Sequence, residues 1–356
     1  MKASKKKKRR GGWKRTALIV LIVVLSLLLA AIVGVAIYAD SLLGMINYID
    51  PSNEATMSPS DASNVILNDP DAVTVDPDST EPVVRPEDIV MPEEPVDPLD
   101  EGVHVLNIML VGQDRRSGQD RQRSDTMVMV TINRSRKIIT LTSFMRDQFV
   151  NIPGYGKTKL NHAYQYGGMN LLKQTIYNHY GVEIHGMIEV DFSGFEDIID
   201  LLGGVEIELT KKEVKYLNRN GGWDLSTGVE RLNGKQALLY ARLRSIDSDY
   251  KRAERQRNVL TSIIQEYKNQ SLTQMLALLD DILPMITTNI PKSDLTKYLT
   301  GMFPMFAGAE VETLRIPADG TFTGGLIRVS EGLNLWCQYN IDFEENREIL
   351  AELFEE

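Results

Sequence analysis

Cysteine is nearly absent: Cys337 is the only one in 356 residues, which excludes an internal disulfide framework and a cysteine metal site within the chain. Histidine is scarce as well. His104, His162, His179 and His185 fall at no metal-ligand spacing, so a zinc centre is not expected. His162, in Asn161-His162-Ala163-Tyr164, reads as a packed or hydrogen-bonded residue rather than a catalyst. No nucleophile elbow or Ser/His/Asp constellation is visible, and there is no internal repeat. Gly156-Lys157-Thr158 resembles the end of a P-loop, but the glycine that motif needs earlier falls at Asn151.

What is present is strongly segregated. The net charge is −10, yet residues 1–15 carry nine Lys/Arg and no acid, while residues 40–101 carry sixteen acids against Arg85 alone. From residue 102 onward the balance is only −4, so the acidic total says little about partners of the folded part. Between the two biased stretches runs Ala17 to Tyr38, 22 nearly all apolar residues without a charge. As a helix this spans roughly 33 Å, matching a hydrocarbon core of about 30 Å. A cleaved signal peptide has a shorter apolar region and a small-x-small site, which Ala36-Ile37-Tyr38-Ala39 fits poorly. The run therefore reads as an uncleaved signal-anchor. Its cationic flank, residues 1–16, stays cytoplasmic by the positive-inside rule and sends everything after Tyr38 outside. The only basic run is then cytoplasmic, and no nucleic-acid partner is expected outside.

Residues 39–101 read as a disordered, acidic, proline-rich linker. Nine of the fourteen prolines fall between Pro51 and Glu101, and aromatic residues are absent there. Such composition buries too little apolar surface to offset its ordering entropy. Fully extended, that stretch would reach about 150 Å.

From residue 102 to 356 the composition is that of a globular α/β domain. Val103 to Gly112, Thr126 to Asn133 and Lys137 to Phe144 read as strands, with a turn at 133–136 making the last two a hairpin. Helices are expected at Asn170 to Tyr180, at Ser193 to Leu202 with Ser193 as N-cap, and at Arg252 to Tyr267. Val205 to Thr210 reads as a further strand, and Ser293 to Phe306 and Glu344 to Glu356 as helices packed on the same domain.

Four polar clusters sit at the ends of these elements: Gly112-Gln113-Asp114-Arg115-Arg116, Arg123-Ser124-Asp125-Thr126, Ser143-Phe144-Met145-Arg146-Asp147, and Tyr240-Ala241-Arg242-Leu243-Arg244 with Asp249, Arg252, Arg255, Gln256 and Arg257. Strand ends are where open α/β sheets place ligands. Arginine forks match phosphate oxygens, and magnesium takes one or two carboxylates with substrate phosphates completing its shell. Asp114 and Asp125, on either side of a short loop, supply such a pair. Alternation in Arg242-Leu243-Arg244 would place both guanidinium groups on one face of a strand. The pattern points to an enzyme acting on a phosphorylated substrate.

Together with Leu160-Asn161-His162-Ala163-Tyr164, Asp191-Phe192-Ser193-Gly194-Phe195 and Asp200-Leu201-Leu202-Gly203-Gly204-Val205, these clusters resemble the LytR-CpsA-Psr family of cell-envelope proteins. The likeness runs over about 103–270, more weakly through 287–289 and 314–319, and leaves a C-terminal extension. It implies a three-layer α/β/α domain with a mixed central sheet and an apolar tunnel for a polyprenyl chain. It also implies a phosphotransferase that moves an anionic glycan, such as teichoic acid or capsule, from a polyprenyl-pyrophosphate carrier to a peptidoglycan hydroxyl. By motif position Asp114 and Asp125 would hold magnesium, or manganese in its place. Arg116, Arg123, Arg146, Arg242, Arg244 and Arg252 or Arg255 would grip the pyrophosphate, with Gln256 nearby, and Asp114, Asp125, Arg146 and Arg242 would carry the chemistry. Two other readings of the same residues are hydrolysis of that pyrophosphate by water and a non-catalytic, lipid-carrier-sensing envelope regulator. One departure is Met145, where the family usually has proline; losing the fixed φ bears on the placement of Arg146.

Overall fold

The computed structural model describes residues 41, 43–74, 83–92, 95–102, 104–113, 121–298 and 308–356. The expected basic tail and membrane helix at 17–38 lie outside these residues, as do Asp114, Arg115 and Arg116. Among the described residues no helix is long and apolar enough to cross a membrane. The chain divides into two units, Met1–Met45 and Ile46–Glu356, and the second carries the α/β fold.

In chain order the elements are β1 (Asn47–Tyr48), α1 (Pro59–Leu67), β2 (Ala72–Thr74), β3 (Val83–Val84), β4 (Val105–Gln113), β5 (Ser124–Asn133), β6 (Ile138–Phe144), β7 (Phe149–Ile152), β8 (Gly156–Lys159) and α2 (Leu160–Tyr180). Then come β9 (Gly186–Asp191), α3 (Phe192–Leu201), β10 (Val205–Leu209), α4 (Lys211–Gly221), β11 (Gly228–Leu232), α5 (Gly234–Ala241), α6 (Asp249–Lys268) and α7 (Leu272–Ile282). The last elements are β12 (Ile286–Thr288), β13 (Glu310–Ile316), β14 (Thr323–Ser330), β15 (Leu333–Tyr339) and α8 (Phe343–Ala351).

A seven-stranded mixed sheet, ordered β1-β12-β9-β4-β5-β6-β13, forms the middle of the unit. Its central strands alternate strictly. Met109, Val111, Met127 and Met129 face α2 and α8, where Tyr164, Leu172, Ile176 and Leu350 are buried. Leu106, Ile108, Val128 and Leu141 face the other way, against Leu260 and Ile264 of α6. Each such fully buried side chain stabilises the fold by about 1.5–3 kcal/mol before entropy is counted. Helices thus cover both faces of the sheet. The expected hairpin is β5–β6, antiparallel through Asn133↔Ile138. Helix α3 is capped by Asp191, which accepts from the Gly194 amide at 2.8 Å, so the cap lies two residues earlier than Ser193.

The disordered linker expected at 39–101 is not what the described residues form. The folded unit begins at Ile46, not at residue 102. Ala62 is buried in the main core, with Met57, Val65 and Ile66 against it. β2 adds to β15 and β3 to β14, making a four-stranded sheet. The acids that argued for disorder find partners far along the chain. Glu54 accepts from the backbone amides of Met169 and Asn170 at 2.8 and 3.0 Å. It thereby caps the second half of α2, which restarts there after a kink at Gly167 and Gly168. Gly168 has φ +65°, and a Cβ there would overlap the Glu54 carboxylate, so only glycine admits this cap.

Candidate functional site

The C-terminal ends of β4, β6 and β9, the start of β5 and the first turn of α6 converge at one end of the sheet's strands. Between β4 and β5 the register slips: Gly112 faces Thr126, but Gln113 faces Ser124. Asp125 is therefore the extra residue of a β-bulge, a device that re-aims a side chain at the end of a ladder. Arg146 follows β6 directly, and its guanidinium is the centre of the site. Nη1 donates to Asp125 Oδ1 at 2.8 Å and Nε to Asp249 Oδ2 at 3.1 Å. Nη2 lies 3.2 Å from Asp71 Oδ2, and Nε 3.5 Å from Asp147 Oδ2. Burial works against the charge of Arg146, but Asp147, Asp249, Asp125 and Asp71 outweigh it and raise its pKa above the ordinary arginine value.

Further cations surround it. Lys159, almost fully buried, lies 2.8 Å from Asp147, whose pKa is lowered by Lys159, Arg146 and Arg252 against the effect of burial. Arg252 donates to Asp249 at 2.8 Å. Arg123 donates to Asp69 at 2.6 Å, and Arg244 lies 3.7 Å from Asp71. Asp69 also faces His162 Nε2 at 3.1 Å, while His162 Nδ1 meets Thr158 Oγ1 at 2.8 Å. Both His162 nitrogens are thus engaged, and burial lowers its pKa, so it is a packed, hydrogen-bonded residue as its sequence context indicates. Asp69 and Asp71 come from the stretch read as linker, so composition concealed them. Lys159 gave no signal beyond lying next to the Leu160-Asn161-His162 motif.

Beside this polar centre lies an apolar cavity of about 210 Å³ between the sheet and helices α3, α5 and α6. Ile188, Phe192, Phe195, Leu238, Leu260 and Ile263 line it, with Thr126, Asp191, Arg242 and Gln256 as its polar members. The Arg242 guanidinium sits 4.3 Å from the centroid of the Phe192 ring. The two regions are joined by one stripe of α6: Asp249, Arg252, Gln256, Leu260 and Ile263 recur at helical spacing, charged at one end and apolar at the other.

The expected residues separate accordingly. Arg123, Asp125, Arg146, Arg244 and Arg252 gather in the cluster, and Arg242 and Gln256 lie on the apolar cavity. Asp114 and Arg116 fall outside the described residues. Arg255 does not join the cluster. It is buried with Glu213 at 2.6 Å, donates to the Leu243 carbonyl at 2.8 Å, and pairs with Asp247. Arg242-Leu243-Arg244 is not a strand either. Asn233 opens α5 with a capping box, and Arg242 ends it as the C-cap, after which Arg244 turns to Asp71 while Arg242 covers Phe192. Met145 uses what proline lacks: its amide donates to the Ile316 carbonyl at 2.8 Å, continuing the β6–β13 ladder and fixing the backbone just before Arg146.

A divalent ion was expected on Asp114 and Asp125. Among the described residues no group of three or more His, Cys, Asp or Glu is placed to hold a metal. The Asp125 side chain is 40% exposed, with one oxygen on Arg146. One accessible carboxylate beside arginines suits an ion whose shell is completed by phosphate and water, and does not suit an all-protein cage.

Comparison with known proteins bears on the family and the fold. The profile of the LytR_cpsA_psr family matches residues 83–341. A polyisoprenyl-teichoic acid–peptidoglycan teichoic acid transferase TagT of Bacillus subtilis is 34% identical over 225 residues, 61% of this chain and 69% of the relative. Among solved structures, TagT bound to LIIa-WTA superposes with a TM-score of 0.59 at 28% identity, covering 74% of this chain and 96% of the other. The LytR-CPS2A-psr family protein YwtF (TagT) with bound octaprenyl pyrophosphate lipid gives 0.55 at 26% identity, covering 75% and 98%.

Proposed function

The chain belongs to the LytR-CpsA-Psr family, and from that premise we propose that it transfers a phosphoglycan of the teichoic acid or capsular type from a polyprenyl-pyrophosphate carrier to a peptidoglycan hydroxyl. The observation that carries this reading is the stripe of α6 that runs from a buried arginine centre into an apolar cavity, a surface that matches a diphosphate joined to an isoprenoid chain.

In the reaction the acceptor oxygen attacks the glycan-side phosphorus. A new P–O bond forms as the bridging P–O–P bond breaks, and polyprenyl phosphate leaves with the electron pair. Such transfers need positioning and charge neutralisation more than covalent help. Arg146, Arg123, Arg244 and Arg252 grip the phosphate oxygens, and Arg242 and Gln256 meet the first part of the lipid chain at the cavity. Asp125 or Asp147 takes the hydroxyl proton. Asp125, with Asp114, would hold magnesium or manganese, which when bound neutralises charge on the phosphate oxygens. Residues 17–38 would anchor the chain by one helix, with the globular part outside the cytoplasm.

The test uses the full chain in detergent micelles with polyprenyl-pyrophosphate glycan, a peptidoglycan oligomer and magnesium, followed by mass spectrometry of the acceptor. A phosphodiester-linked glycan on peptidoglycan, lost on chelation, is the expected product. Phosphorylated glycan released to water alone would replace transfer by hydrolysis, and binding without any product would make the chain a sensor.

A further inference from the structure

Along α6 the arginine centre has a second neighbour, on the side away from the apolar cavity. A pocket of about 300 Å³ opens at the first turn of the helix, with Arg146, Asp147, Lys159, Asp249, Tyr250 and Trp336 among its walls. We propose that this pocket binds a neutral sugar ring of the acceptor, stacked on Trp336 and hydrogen-bonded by the polar side chains of its walls. The proposal rests on the transfer reading above and gives it an acceptor subsite.

Trp336 is the first reason. It projects from β15 between buried Leu335 and Cys337, and it is 40% exposed where a soluble strand would ordinarily carry a polar residue. The indole is held in place. A Cβ on Gly324 of the neighbouring strand would come within 2.9 Å of the ring, so the bare glycine lets the tryptophan lie close against β14. The strand is also tied to the site itself. The Gln338 amide donates to the Asp147 carbonyl at 2.8 Å, and Gln148 bridges to Gln338, so the platform is fixed to the residues that follow Arg146. Tyr250 is fixed in turn, its hydroxyl accepting from Gln338 at 3.3 Å and its ring under Arg315 at 4.5 Å.

The polar wall is the second reason. Asp147 and Lys159 are 5% and 2% exposed. Their facing atoms lie 2.8 Å apart, so the Lys159 ammonium pairs with the buried carboxylate and fixes the floor of the pocket. Above that floor Asp71, Ser248 and Asp249 line the pocket with more accessible polar atoms, and sugar hydroxyls both donate and accept. The occupant is a neutral ring because Asp71, Asp147 and Asp249 outnumber Arg146 and Lys159 on these walls, which disfavours a second anion. An aromatic face with carboxylates at its edge suits the apolar face and hydroxyl rim of a pyranose.

The experiment uses the full chain in detergent and an oligosaccharide of alternating N-acetylglucosamine and N-acetylmuramic acid with its lactyl carboxyls amidated. Binding is measured by calorimetry, and the KM values of acceptor and donor are measured separately in the transfer assay. Trp336→Ala is expected to weaken oligosaccharide binding and raise acceptor KM about tenfold, with donor KM unchanged and Trp336→Phe recovering most of the loss. Circular dichroism melts confirm that both variants fold. Oligosaccharide affinity equal to wild type in the alanine variant overturns the subsite even if transfer proceeds. Trp336-dependent binding without a transfer product upholds the subsite and overturns the transfer reading instead.

Discussion

Replacing Arg255 by methionine separates a structural arginine from the phosphate-gripping set to which its position in the motif would assign it. Arg255 Nε donates to Glu213 Oε1 at 2.6 Å, and both residues are buried. Glu213 has a second duty, since its other oxygen accepts from the Thr210 amide at 2.8 Å in the capping box of α4. Methionine fills similar space but leaves one Glu213 oxygen buried without a cation. Breaking a buried pair in this way costs about 3–5 kcal/mol. For a unit of this size that lowers Tm by roughly 5–8 °C. Thermal and urea unfolding of the full chain in detergent would measure the loss, and calorimetric titration with polyprenyl pyrophosphate, well below Tm, would measure lipid binding. Stability should fall while lipid affinity stays within about threefold of wild type. Adding Glu213→Gln should recover part of the stability, because the coupling between the two sites is direct. A variant with unchanged melting and a large loss of lipid affinity would refute the assignment and return Arg255 to the phosphate.

Arg146→Lys keeps the charge but loses the fork that reaches Asp125, Asp249 and Asp71 together; turnover is expected to fall about 100-fold in the mass-spectrometric assay, and near-normal turnover would mean that a point charge suffices. Gly168→Ala should cost roughly 1–3 kcal/mol by urea unfolding, because φ is +65° and the methyl displaces Glu54; an unaltered midpoint would count against the Glu54 cap. Glu101, pushed by burial up to about 7 from 4.5, favours the folded state fully below pH 4.5, and that contribution is lost as pH rises through 7. The loss is at most about 3 kcal/mol. Stability measured from pH 4.5 to 8 should show this slope, and Glu101→Gln should flatten it; an equal slope in the variant would remove Glu101 as its source.

The strands that build the site were legible as short apolar runs bounded by turn signals; Met109 and Val111 on one face and Leu106 and Ile108 on the other are all apolar because helices cover both. The strand-end position of Asp125 and Arg146 followed from the same reading. The bulge that singles out Asp125 was not legible, since a register slip between partners leaves no local mark. Arg242 and Arg244 misled because a two-residue alternation also fits a helix end, and the Asn233 capping box decides for the helix. Residues 46–101 misled most. Proline and acid content measures what a segment can bury by itself, whereas Asp69, Asp71 and Glu54 are held by Arg123, Arg146 and α2, all more than fifty residues away.

The cap that Glu54 places on α2 has a practical consequence for how a soluble form is made. A truncation that begins near residue 100, the boundary that composition suggests, would delete this cap, Ala62 from the core, Asp69 and Asp71 from the arginine centre, and the strand beside β15. An inactive fragment of that kind would report a damaged site and would say nothing about the need for a membrane. Cutting before Ile46 keeps the wall of the site in place, and only such a fragment can show what the preceding residues contribute.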